Sequence, residues 1–454
     1  MAPMLAGCTP WPEEFVDRYW AAGHWRGNTL DDLLRGWALQ YGPRTALVHG
    51  ATRVTYANLN RRVDRMAAGL RLRGLRPGQR VVVQLPNVPE FVTTVFALMR
   101  TGALPVLCPV SHRADEVSHV VRVAEAVGYV GPSVYRGFDH TAMAADIAAR
   151  GPFLRRVFTF EAPGESSPYG GFSTDPAGCH YFLLGSLDSP PGPGLAHSAD
   201  QVALFLLSGA GGGAPLLVPR THDDYAYQAR ATAELVSLTE NDVYLAALPA
   251  SSQLAFGCPG IVGTLSVGGT VVLVEEPDPA ACLAAIARER VTVTSVTPGT
   301  ALLWLDALPA AGADVSALRL VQVGAGGAPV PRATAERLAA EWGCRPQQFF
   351  GTAEGPLALT RPGDPDETVL TTQGRPLSPD DEIRIVGADG QDVPDGEPGE
   401  LLARGPYIPR GYYRAPDRNA RSFTADGYFR TGELVRRAPD GSLVVAGSGP
   451  RVSP

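Results

Sequence analysis

The chain of 454 residues contains no lysine: all 39 of its lysine-or-arginine positions are arginine. This excludes any step that depends on a compact ammonium, the Walker-type phosphate loop among them, because a planar guanidinium is no substitute where a point charge is needed. Cysteine is sparse. Cys8, Cys108, Cys179, Cys258, Cys282 and Cys344 stand far apart, with no CxxC pair and no zinc-type spacing, so reduced and mostly core thiols are expected. No apolar run approaches the roughly 20 residues of a membrane-spanning helix. The N-terminal MAPMLAGCTPWPEEF has neither region of a secretory signal, so a cytoplasmic protein without a membrane partner is expected. Excess positive charge is missing too, the net charge being −7, which argues against a nucleic-acid partner.

What is present describes a globular protein, 45% hydrophobic and 19% charged. The length exceeds what one core usually serves, so several lobes are expected. Leu59, Val63, Met66 and Leu70 fall on one face of a helix that starts at Tyr56 and closes at Gly74. Strand-like runs Arg80 to Leu85 and Leu104 to Val110 flank a helical Phe91 to Arg100, an alternation that predicts parallel βα units. The segment from Ala162 to Gly178 and the run SPPGPG read as a surface excursion. VYLAALP, GTVVLVEE, VTVTSVTP and LRLVQVG then predict a second parallel sheet. After about Asp381, short strands joined by aspartate–glycine turns predict an antiparallel barrel or meander. The predicted fold is α/β: a subdomain over 1–200, a second over 201–378, and a small antiparallel barrel over 379–454.

Two glycine runs invite a nucleotide reading. Gly209 to Ala214 formally matches GxGxx[GA], but Pro215 and Pro219 would break the helix which that fingerprint must open. Gly324, Gly326 and Gly327 are followed by Pro329 and Pro331 and carry the same defect. In RTHDDY, His222 beside Asp223 and Asp224 has the composition of a general base, against a structural reading that is stronger. Ser208 or Ser252 as a nucleophile would need a histidine close in space.

The stretches VVVQLPNVPEF, VPRTHDDY, VYLAALP, QQFFGTAEG, TQGRPLSPDDE, RGPYIPRGYY and DGYFRTGELV, with TPWPEEF and GALPV, resemble the acyl-adenylate-forming ligases. Within them the match is nearest to the 2,3-dihydroxybenzoate/salicylate–AMP ligases of siderophore biosynthesis, over essentially residues 1 to 447. The resemblance implies two α/β subdomains plus a small barrel, with a site at their junction. It implies an aryl acid activated by ATP and magnesium, then passed to a carrier-protein thiol. Glu354 takes the magnesium-holding position and Thr352 the place beside the α-phosphate. Ser208, Gly209, Gly211, Gly212, Gly213, Gly326, Gly327, Phe350 and Glu433 fall on nucleotide-binding positions. Gln253, Leu254, Cys258, Val323, Gly324 and Gly351 fall on substrate-binding ones.

The departures all touch nucleotide chemistry. The family loop SG(S/T/G)TG-x-x-K loses its hydroxyls at Gly211 and Gly212 and its lysine at Leu216. Each lost contact is worth roughly 1.5–3 kcal/mol, as for hydrogen bonds to charged groups. Ser252 replaces a histidine, Gln253 an asparagine, and Glu433 the ribose-binding aspartate. Ser448 stands at the hinge arginine, and the lysine-bearing mobile domain is expected to be naturally absent. From sequence alone the expected function is an aryl-acid ligase homologue of secondary metabolism with a degenerate ATP site and no certain cofactor. It would bind an aromatic acid or aryl thioester and transfer the acyl group without ATP, with Ser252, Thr352 and Glu354 as the catalytic candidates. Two alternatives stay open: an adenylating ligase, slow or completed by a partner in trans, and a non-catalytic module that holds an aryl ligand or a carrier protein. A homodimer is a further expectation.

Overall fold

The computed structural model describes residues 4–161, 173–176, 178–192, 194–195, 197–208, 213–324 and 330–448. Gly209, Gly211, Gly212, Gly326, Gly327 and most of the 162–178 excursion lie outside them. The described residues form two large sheets and one small one. In the nine-stranded sheet, Thr45–His49, Thr270–Leu273, Val243–Ala246, Val293–Val296, Leu320–Gly324 and Arg345–Gly351 run parallel, with antiparallel strands at both edges. The eight-stranded sheet has Leu104–Leu107, Arg80–Val83, Gly128–Pro132 and Arg156–Phe160 as its parallel centre. Sheet membership does not follow chain order. The hairpin Thr45–His49/Thr52–Thr55 joins the sheet of later strands, while Val202–Ser208 and Leu216–Thr221 join the sheet of earlier ones. Glu382–Val386, Gly399–Arg404, Phe429–Arg437 and Leu443–Ser448 form the small sheet, a four-stranded antiparallel meander.

Local chemistry sets the elements. The helix Tyr56–Leu72 starts where the Thr55 side chain accepts from the Asn58 amide, and it buries Leu59, Val63 and Leu70 on the face the periodicity marks. The helix Pro89–Arg100 is buried almost all round, because it touches strands of both large sheets. Asn87, just before it, ties the two sheets together: its amide nitrogen donates to the carbonyls of Ala246, Leu248 and Val274, and its oxygen accepts from Ala250.

Arg100 closes that central helix at 2% exposure and needs counter-charge. Asp31, 1% exposed, lies 3.8 Å from its Nε, and Asp64 accepts from its Nη1 at 2.9 Å. His197 Nε2 sits 2.8 Å from Asp31, and the buried His222 ring is 5.3 Å from the His197 ring. Burial opposes ionisation of Asp31, but the hydrogen bond and charge of His197 hold its carboxyl down to about 2. That same bond raises the pKa of His197, and burial lowers that of His222 to about 3. The Asp31 contribution is present above the ordinary aspartate range and is lost as pH falls toward 2. The His197 contribution is full below its unfolded pKa and is lost as pH rises through the raised folded value. His222 works against folding as pH falls below its unfolded value, since only the unfolded chain takes up that proton. Replacing Asp31 by asparagine leaves Arg100 with Asp64 as its remaining carboxylate and removes the charged partner of His197, which should cost about 1.5–3 kcal/mol of unfolding free energy, the scale of a hydrogen bond to a charged group. Urea titrations at several pH values should show the largest cost near pH 5 and a smaller one above the folded pKa of His197; a pH-independent cost would dissociate His197 from the pair.

Candidate functional site

A cavity of about 910 Å³ opens where the carboxyl ends of parallel strands from both large sheets converge, the usual place for a ligand in open α/β sheets. Ser208 ends the strand Val202–Ser208, Gly324 ends Leu320–Gly324 and Gly351 ends Arg345–Gly351, and all three line it. Two of these positions demand glycine. A Cβ on Gly324 would come within 2.3 Å of the Phe349 carbonyl, and one on Gly351 within 2.5 Å of the Leu357 side chain. The meander contributes Glu400 and the stretch from Phe429 to Glu433, and the helix Pro416–Ser422 contributes Arg418 and Arg421.

Glu354 is 3% exposed, and Tyr412 donates to its Oε1 at 2.7 Å. Ser208, at the root of the glycine run, and Tyr412 line the same cavity as the retained acid. Burial, then the Glu354 charge, push the Tyr412 pKa far up, which keeps it a donor. Thr352 Oγ1 donates to the Gly355 carbonyl at 3.0 Å and folds the turn that presents Glu354. No group of three or more metal-ligating side chains gathers among the described residues. Two buried carboxylates, Glu354 and Glu433, in a roomy cavity are too few for a protein cage and fit magnesium carried in on substrate phosphates.

The floor is a buried polar network. Arg220, with no solvent exposure, donates to Asp224 at 2.8 Å, Gln228 at 2.9 Å and Gln253 at 3.3 Å, and its guanidinium lies 4.8 Å from the centre of the Tyr225 ring. Gln253 Nε2 donates to Gln228 at 2.7 Å, and Gln228 donates to the Gly257 carbonyl and to Cys258 Sγ. Gln253 lines the cavity with its amide turned into this network. Ser252 also lines it, but its hydroxyl caps the helix Gln253–Gly257 by accepting from the Ala255 amide. Among the described residues no histidine is hydrogen-bonded to Ser252.

Of the residues singled out in the sequence, Ser208, Gly213, Ser252, Gln253, Leu254, Gly324, Gly351, Thr352, Glu354 and Glu433 come together around the cavity. Cys258, Val323 and Phe350 do not line it. Cys258 is sealed behind Gln228, with burial pushing its thiol pKa up. Strand alternation turns Val323 to the helix-covered side of its sheet and Phe350 toward the meander. The histidine–aspartate motif does not line the cavity: His222 accepts from the Leu30 amide, Asp223 from those of Arg26 and Gly27, and Asp224 from Thr221 and Arg220 within the floor network. Sequence reasoning missed Tyr412, His119 and the floor partners. His119 Nδ1 accepts from Arg122 at 3.0 Å, so its Nε2 donates to the Pro215 carbonyl at 3.1 Å and anchors the exit of the glycine run. Burial and the Arg122 charge lower its pKa.

The sequence and fold have known counterparts. The 2,3-dihydroxybenzoate-AMP ligase of Bacillus subtilis is 42% identical over 444 residues, 98% of this chain and 79% of the relative. The salicyl-AMP ligase / salicyl-S-ArCP synthetase of Mycobacterium tuberculosis is 43% identical over 448 residues, 98% of this chain and 77% of the relative. The apo structure of MbtA from Mycobacterium smegmatis matches with a TM-score of 0.89 and 42% identity, over 98% of this chain and 80% of that one. The model of the family described as AMP-binding enzyme matches residues 34–413, and this chain belongs to that family.

Proposed function

We propose that this chain is an aryl-acid–AMP ligase of siderophore-type or related secondary metabolism. An aromatic carboxylate oxygen attacks the α-phosphorus of ATP. The bond from that phosphorus to its bridging oxygen breaks, and pyrophosphate leaves with the electron pair, giving an aryl-AMP. The acyl group then passes to a carrier-protein thiol, whose sulfur displaces AMP. The observation that carries the reading is Glu354, held by Tyr412 and presented by the Thr352 turn, in a cavity that Ser208 and Gln253 also line. The names of the relatives, which refer to 2,3-dihydroxybenzoate and salicylate, support the substrate class. Glu354 would hold magnesium, which supplies charge neutralisation at the phosphates when bound. Ser252 is a cap and a wall in this reading, and His119 fixes the strand that leaves the glycine run.

A second reading, acyl transfer from a pre-activated aryl thioester without ATP, is favoured by one observation. Gly211, Gly212 and Leu216 replace the hydroxyls and lysine of the family loop, and none of the 454 residues is a lysine. Pyrophosphate exchange with ATP, magnesium and a panel of benzoates separates the two: exchange dependent on salicylate or 2,3-dihydroxybenzoate is expected. Turnover of an aryl thioester with no exchange would transfer the function to the second reading.

Within the ligase reading, Glu354→Gln should lower the exchange rate by roughly 10²–10³-fold, the scale of losing one preorganised electrostatic contact. Tyr412→Phe removes one hydrogen bond to a charged group and should lower it by roughly tenfold. A further expected outcome is a raised magnesium requirement in Tyr412→Phe. Rates unchanged in both variants would remove Glu354 from the chemistry.

A further inference from the structure

The helix His222–Leu235 has two polar faces. One serves the floor network through Asp224 and Gln228. The other carries Asp223, Ala226, Arg230 and Glu234 at steps of three or four, and it lines a second cavity of about 330 Å³. That volume is at the small end of the roughly 300–1,000 Å³ that ligand pockets span. The opposite wall is apolar: Leu33 and Trp37 of the helix Leu30–Tyr41, with Val262 of the helix Gly260–Ser266. At Ala226 the helix offers only a methyl group to the space between them.

The charges around this cavity are balanced. Arg26 and Arg230 line it, and so do Asp223 and Glu234. The two guanidinium groups work against each other, since the charge of Arg26 adds to burial in lowering the pKa of Arg230. Arg230 is held in place by donating to the Gly23 and His24 carbonyls at 3.2 and 2.9 Å, with Glu234 at 3.7 Å. Asp223 is 3% exposed. Its Oδ1 accepts from the Arg26 and Gly27 amides, and its Oδ2 is buried with no hydrogen-bond partner among the described residues. Burial raises the pKa of Asp223, the charge of Asp200 adds to the rise, and the two amide bonds and the charge of Arg230 oppose it.

Neither sign of charge alone suits such a lining. An anion would relieve the arginines but meet Asp223 and Glu234, and a cation would do the reverse. A ligand with one charge of each sign answers both pairs. Because the cavity is small, those two charges must sit close together, on an apolar body that covers Leu33, Trp37 and Val262.

We propose that this cavity is a second ligand site, built for a free α-amino acid with an apolar side chain. Its carboxylate goes to Arg26 and Arg230, its ammonium to Asp223 and Glu234, and its side chain to the apolar wall. The site is separate from the large cavity, shares only the helix His222–Leu235 with it, and does not depend on the ligase reading.

Calorimetry on the full chain with L-phenylalanine, L-leucine, 3-phenylpropionate and 2-phenylethylamine tests it. Phenylalanine or leucine should bind with a stoichiometry of about one, as a single cavity of this size requires. 3-Phenylpropionate lacks the ammonium and 2-phenylethylamine the carboxylate, so each should bind at least about tenfold more weakly than phenylalanine, the scale of one charged contact. Arg26→Gln, at an exposed position, should weaken the amino acid by about tenfold, and Ala226→Leu should abolish binding by filling the space. Wild-type far-ultraviolet circular dichroism confirms the fold of each variant, and should Ala226→Leu fail that check, Arg26→Gln decides alone. Either half-ligand binding as tightly as phenylalanine would overturn the zwitterion. No binding of either amino acid, or wild-type affinity in Arg26→Gln, would overturn the site.

Discussion

Arg220 carries a charge it cannot give up and has no exposure to water. Left without partners, such a group would cost several kcal/mol, so its surroundings are obligatory. The guanidinium and its partners come from four places in the chain. Arg220 itself ends the strand Leu216–Thr221, Asp224 and Gln228 belong to the following helix, Gln253 opens the helix Gln253–Gly257, and the Ala353 carbonyl lies in the turn beside Glu354. One guanidinium therefore fixes the exit of the glycine run, the Gln253 end of the cavity and the turn bearing the retained acid relative to each other. Displacing any of them strands a buried charge.

The same network decides what the cavity shows to a ligand. Gln228 must turn its oxygen toward Arg220 and Gln253, both of which donate, so its nitrogen faces the Gly257 carbonyl and Cys258. Reversing that amide would set donor against donor. Gln253 is oriented in turn, with its oxygen toward Arg220 and one N–H toward Gln228. What it has left for a substrate is one N–H and one lone pair, beside apolar walls such as Leu206, Leu248 and Leu254. A mostly apolar concavity with a few fixed polar atoms suits a flat aromatic acid. Cys258 stands behind Gln228 and does not line the cavity.

Much of this was legible in the sequence. The apolar face of Tyr56–Leu72, the parallel βα alternation and the hairpin turns of the meander report local periodicity, and they match the structure. The long motifs marked Glu354 and Gln253 without any knowledge of depth. Strand exchange between the sheets was not legible, because pairing between Thr45–His49 and Thr270–Leu273 is set by packing and not by local pattern. Nor was the Tyr412–Glu354 bond, whose partners are 58 residues apart. Arg220, Asp224 and Gln228 do recur at intervals of four, a visible signal, but periodicity alone does not say whether such a face meets water or another helix. Phe349 and Phe350 differ only in register, and one step of a strand sends one to the cavity and the other to the meander.

An all-arginine chain changes how a site can be charged. Lysine adapts to burial by losing its proton, and on a flexible stem it can be delivered by a loop. Arginine does neither, so it works best from a rigid element or a saturated pocket. Both uses occur around this cavity: Arg220 in a pocket where every neighbour is committed, and Arg418 with Arg421 on one face of a helix. The first use builds architecture, because a charge so fully compensated has little left for a ligand. The second sets guanidinium groups at the cavity wall, where the acids Glu354 and Glu433 also stand. An anion entering there must outbid those acids for the guanidinium groups, which a polyphosphate with several negative oxygens and a divalent cation does better than a lone carboxylate. In the ligase reading, charge density, more than shape, would direct a phosphate chain to this wall and leave an aryl carboxylate to the apolar end.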